Sequence, residues 1–139
     1  AFMSFTAPQR LRQYILYHAI ADFGSKVLVG QTAEMIAAMT DGDAVDALYE
    51  RFEELDGIGV AYDLRGAGDE TGIKPEYLHE YRHFEVDVVA LKMLDGSWVA
   101  WNYYHGGGKF TTPETIPWIE TSFFVQARTE IREVIVFSR

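Results

Sequence analysis

The chain has 139 residues, is 48% hydrophobic, contains no Cys and carries a formal net charge of −9. That size and apolar content suit one domain, residues 1–139, burying about two thirds of its unfolded surface without staples. The lack of Cys excludes disulfides and thiolate metal sites, no apolar run approaches the roughly 20 residues that cross a bilayer, and no basic-then-apolar leader opens the sequence, so the expectation is a cytoplasmic protein without a membrane partner.

In chain order, Ser4 or Thr6 caps a first helix that has Pro8 in its first turn and stops at Gly24. Leu11, Ile15 and Ala19 recur at helical spacing, with Tyr14 and Leu16 widening the apolar side. His18 on that side reads as a satisfied core histidine, not a base. Residues 26–30 are too short a run to classify. Thr32 opens a second helix through Met39, with Met35, Ile36 and Met39 on one face. Residues 40–43 then break and recap the chain, and a third helix runs from Asp43 to Leu55, ended by Asp56-Gly57.

On the third helix Val45, Leu48, Tyr49, Phe52 and Leu55 form the expected buried stripe, leaving Asp46, Glu50, Glu53 and Glu54 on other faces. Residues 41–80 hold 12 acids against 3 bases, which is the whole net charge, because the other 9 acids and 9 bases cancel. A one-signed face of this kind repels phosphates, which excludes nucleic acid as a direct partner, and attracts basic protein surfaces. The plainer alternative is a solvated face that keeps the protein soluble.

Ile58 to Leu64 reads as a strand, and residues 65–72 as an acidic loop. Its glycines are spaced GxGxxxG with no helix directly behind, unlike a phosphate-binding turn. Lys74-Pro75 can start a short helix that reaches His79-Glu80-Tyr81-Arg82-His83. On a helix, imidazoles at i and i+4 lie on one face and can share a Zn²⁺ while the intervening Glu polarises the bound water. Over these five residues the chain resembles the HExxH zinc metallopeptidases. The resemblance implies His79 and His83 as ligands, Glu80 as general base and His105 as the third ligand, ahead of Glu85 or Asp87. The third His and the glycine of the longer metzincin pattern are missing. Against it, Phe84 to Val88 alternates like a strand, so the same residues also read as a polar turn.

Phe84 to Leu94 and Ser97 to His105 are the clearest strands, joined at Asp95-Gly96. Both of their faces carry apolar groups, so the hairpin should sit centrally, with helices on one side and another layer or a second copy on the other. Trp101, Tyr103 and His105 run into Gly106, Gly107, Gly108 and Lys109, where rings, close backbone amides and one cation could hold a small ligand or anchor a partner. A Walker loop is excluded, since Tyr stands at 103 and Phe at 110. One helical turn at 112–114 and strands over 123–126 and 131–137 complete the chain.

These patterns give an α+β domain: N-terminal helices over residues 3–57, packed on an antiparallel sheet of about four to five strands over 58–139. The expected function is a small acidic interaction or inhibitor domain, of the kind made by bacteria or phage, with no cofactor and no reaction of its own. It would bind a basic protein through Asp46, Glu50 and Glu53, or through Trp101, Tyr103, His105, Gly107 and Lys109, and could form a homodimer. A zinc hydrolase built on His79, Glu80, His83 and His105 is the alternative, and a small-ligand binding domain the third.

Overall fold

The computed structural model describes residues 5–24, 26–55, 58–76, 81, 83–107 and 112–139. α1 (Ala7–Phe23) begins with a capping box: the Thr6 hydroxyl accepts from the Gln9 N–H, and the Gln9 side chain accepts from the Thr6 N–H. This satisfies donors that the first turn cannot. Gly24 ends the helix at φ 83°, a left-handed conformation open to glycine at little cost. Leu11, Ile15, Leu16, Ala19 and Ile20 are buried along one side.

α2 (Ala33–Ala37) has only five residues, too few to hold by its own hydrogen bonds. Buried Gln13 of α1 secures it, donating through Nε2 to the carbonyls of Ile36 at 2.9 Å and Met39 at 3.4 Å. The second helix is thus shorter than its sequence pattern. Thr32 is its N-cap, Ile36 is its buried residue, and Met35 is exposed where an inward position was expected. α3 (Gly42–Glu54) is capped by Asp41 and buries Val45, Tyr49 and Phe52, packing on α1. Leu55 falls outside that stripe: at ψ 19° it has left the helical path, and its side chain is exposed.

The expected strand at 58–64 is a helix, α4 (Ile58–Arg65). Gly59 weakens a helix, and the β-branched Ile58 and Val60 favour extended chain. Val60, Ala61 and Leu64 nevertheless recur at helical spacing and pack on the core, and that burial overrides a weak local preference. The helical part therefore runs through residue 65, eight residues beyond the expected boundary at 57.

The sheet is antiparallel with strands in consecutive order: β1 (Asp69–Glu70), β2 (Glu85–Lys92), β3 (Trp98–His105) and β4 (Phe123–Val125). This is the α+β architecture that the sequence pattern implies. β1 lies where a loop was expected, and Gly68 permits it, since a Cβ there would sit 2.9 Å from the Val89 Cβ. The β2–β3 turn is one residue longer than a two-residue hairpin. Met93 N–H donates to the Ser97 carbonyl at 2.7 Å and Gly96 N–H to the Met93 carbonyl at 3.0 Å, with Gly96 at φ 90°, the pattern of a three-residue loop with a glycine bulge.

Side chains alternate across the sheet. Val89, Leu91, Val99, Trp101 and Tyr103 join the core beneath the helices, while Val86, Val88, Ala90, Ala100 and Tyr104 make two smaller clusters on the outer face. Ile116, next to a 3₁₀ turn at Pro113–Thr115, covers part of that face. The expected strand at 131–137 does not join the sheet. Residues 126–139 run exposed, without regular secondary structure or backbone–backbone hydrogen bonds.

Candidate functional site

Trp101, expected as a partner-binding ring, is fully buried. Its indole N–H donates to the Arg65 carbonyl at 3.0 Å, and its ring meets Trp118 with centroids 5.3 Å apart. It is a core residue because odd-numbered positions of β3 face the helices. Tyr103, next on that face and half-buried, lies between two cationic or polar neighbours. The Arg65 guanidinium carbon stands 4.8 Å from its ring centroid, and His105 stacks on it at 5.0 Å.

Arg65 itself, which the sequence reading passed over, is buried. It donates through Nη1 to the Tyr104 carbonyl at 2.7 Å, while its Nε has no hydrogen-bond partner among the described residues. His105 ends the row, with Nε2 2.8 Å from Asp87 and Nδ1 3.3 Å from Glu85. The strand register explains this, since Glu85 lies opposite His105 and Asp87 opposite Tyr103. As placed, both ring nitrogens of His105 are turned toward carboxylates.

His79, Glu80 and Arg82 lie outside the described residues, as do Gly108, Lys109 and Phe110. Of the zinc pattern, His83 is exposed in a turn where the Phe84 N–H donates to the Tyr81 carbonyl at 3.0 Å. Gly106 and Gly107 take φ values of 74° and 83°, so the chain does turn sharply out of β3 with conformations that suit glycine.

The acidic helix divides its carboxylates between two tasks. Asp46 is not a free docking group: it accepts from Arg12 at 2.9 Å and from Gln9 at 3.0 Å, both on α1. Its position next to Val45 and a turn before Tyr49 brings it to the α1–α3 seam, which the helical pattern alone left unresolved. Glu50, Glu53 and Glu54 are exposed. Burial pushes the Tyr49 hydroxyl pKa up, and the Glu53 carboxylate adds to the rise, so Tyr49 stays neutral as the inner neighbour of that face.

Beside the exposed carboxylates is an open concavity of about 440 Å³ between α2 and α3, with Met35, Met39, Ala47 and Leu48 in its lining. At helical spacing, Asp43, Glu50 and Glu54 share a stripe with Ala47, so acids run along one edge, while the charged residue in the lining itself is Arg51. A second concavity, of about 500 Å³, opens on the outer sheet face over Val88, Asn102 and Tyr104, with Tyr81, Ile116 and Phe123 as walls. The sequence signal for it was present in the apolar even-numbered positions of β2 and β3; what could not be read was which segment leaves them uncovered.

No known family model, curated protein or solved structure matches the chain. Among the described residues, no helix is long and apolar enough to cross a membrane.

Proposed function

We propose that this chain is a protein-interaction domain that takes a basic partner on its α2–α3 face. The observation that carries the reading is the pairing of a mostly apolar concavity, with Arg51 as its one charged lining residue among the described residues, with a stripe of exposed acids along one edge. Met35, Met39 and Leu48 offer flexible apolar contact, while exposed Asp43, Glu50 and Glu54 supply charge along one edge. An amphipathic segment with an apolar side and Lys or Arg flanks is complementary to both parts. Of the expected contact residues, Glu50 lies along the edge of this surface, Glu53 is exposed on the Tyr49 side of α3, Asp46 belongs to the helix seam, and Trp101 belongs to the core.

Capture from an extract of the source cells, comparing wild type with the Glu50→Lys/Glu54→Lys variant and with Met35→Asp, tests the reading. Proteins held by wild type should bind the charge-reversed form more slowly, and Met35→Asp should release them faster. If all three baits hold the same proteins with the same kinetics, the α2–α3 face is an ordinary solvated surface.

A further inference from the structure

We propose that residues 131–137 of one chain seat on the outer sheet face of a second copy, in a reciprocal exchange. This surface is separate from the α2–α3 face. Ile131 is 100% exposed and Phe137 89%, with Val134, Ile135 and Val136 between 74% and 83%. Soluble monomers rarely leave a contiguous apolar run such as 134–137 open to water. The run is also rich in β-branched and aromatic residues, the composition of a strand.

The segment is held away from its own sheet. Residues 126–130, Gln-Ala-Arg-Thr-Glu, contain none of the Gly, Pro, Asn or Asp that would fold a strand back on itself. Arg128 pairs with Glu130 at 3.0 Å, and Glu130 with Arg132 at 3.0 Å. In an extended chain residues two apart share a side, so these pairs line up on one side and favour a straight course. Ile131, Ile135 and Phe137 then fall on the other side.

The same chain carries the matching seat. The edge of β4 away from β3 pairs with no described strand, and Phe123 and Phe124 are exposed there. A strand added along that edge would direct alternate side chains to the face of Phe123 and Val125, into the concavity walled by Tyr81, Ile116 and Phe123. The three apolar side chains on that side, Ile131, Ile135 and Phe137, at about 100 Å² each give roughly 300 Å² per arm. With an equal area of seat, and with two arms, the total approaches about 1,200 Å², at the lower end of a standard stable interface. A twofold exchange also closes on itself, which an unpaired edge otherwise does not.

Sedimentation of the 139-residue chain across about 1–100 μM tests this, a range that brackets ordinary dimer affinities. Wild type should have twice the mass of one chain. Ile135→Asp/Phe137→Asp should run as a folded monomer whose far-ultraviolet spectrum loses no more than the arm's strand signal, because both side chains are exposed in the single chain. Phe123→Asp, which spoils the seat and leaves the arm intact, should also be monomeric, and mixing the two variants should restore a dimer through the one intact arm and the one intact seat. A monomeric wild type, a dimer that survives the arm variant, or a mixture that stays monomeric overturns the proposal. None of those results touches the α2–α3 reading, which is measured with a different face and a different partner.

Discussion

The Trp101 indole N–H donates to the carbonyl of Arg65 over 3.0 Å, and the Arg65 guanidinium donates to the Tyr104 carbonyl over 2.7 Å, so α4 and β3 are tied in both directions. Trp101→Phe removes the donor and part of the ring, leaving the Arg65 carbonyl at the end of a helix without that partner. The expected cost is about 2–4 kcal/mol, combining a lost buried hydrogen bond with a cavity. Urea unfolding measures it, and a loss below about 1 kcal/mol would mean that the seam relaxes around the smaller ring.

Arg65 offers a graded test of the same seam. Arg65→Met keeps much of the packing against Tyr62 and Tyr103, which lie 5.5 and 4.8 Å from the guanidinium carbon, but loses the bond to Tyr104. Arg65→Ala loses both. The Met variant should cost about 1–3 kcal/mol and the Ala variant more. Equal losses would show that packing against the two tyrosines contributes little.

These ties also show what the sequence could and could not reveal. The caps at Thr6 and Gly24 and the β2–β3 hairpin were legible because each is a local pattern with its own chemistry. α4 was misread as a strand because its glycine speaks against a helix and its β-branched residues for extended chain, while the packing of Val60 and Leu64 that decides the matter is non-local. Arg65 drew no notice for a similar reason: an arginine at the end of an apolar run looks like surface until β3 is placed over it. Residues 131–137 have a strand's composition but no strand beside them to pair with, so the strand that composition implies does not form within the chain. Asp46 and Glu50 look alike in one helix, and only the position of α1 separates the bonded carboxylate from the free one.

Gln13 should govern the order of α2. Its side chain holds the carbonyls of Ile36 and Met39, and Gln13→Leu keeps comparable bulk without either bond. Stability should fall by about 1–3 kcal/mol. Amide hydrogen exchange should quicken through residues 33–39 more than in α1 or β3. A uniform increase across the domain would indicate general destabilisation instead of a local tie.

Asp95 gives the hairpin turn a defined pH dependence. Burial alone would raise its pKa, but hydrogen bonds from the Ser97 side chain and backbone, followed by the charge of Arg10, outweigh it and hold the carboxyl below its ordinary 3.8. The Ser97 hydroxyl and amide lie at 2.6 and 3.1 Å, and Arg10 Nε at 3.3 Å. A pKa lower in the folded state means that the unfolded chain binds the proton more readily. The stabilisation is therefore complete above the unfolded value, near 3.8, and is lost as pH falls through the lower folded value. Because the side chain is 35% exposed, solvent screening limits the effect to about 1 kcal/mol or less. Asp95→Asn should lower stability at pH 7 by about that amount and should narrow its gap to wild type as pH falls below about 4. Urea midpoints between about pH 2.5 and 7 give the comparison. Parallel pH profiles for the two proteins would show that the Asp95 charge contributes nothing to holding α1 against the hairpin.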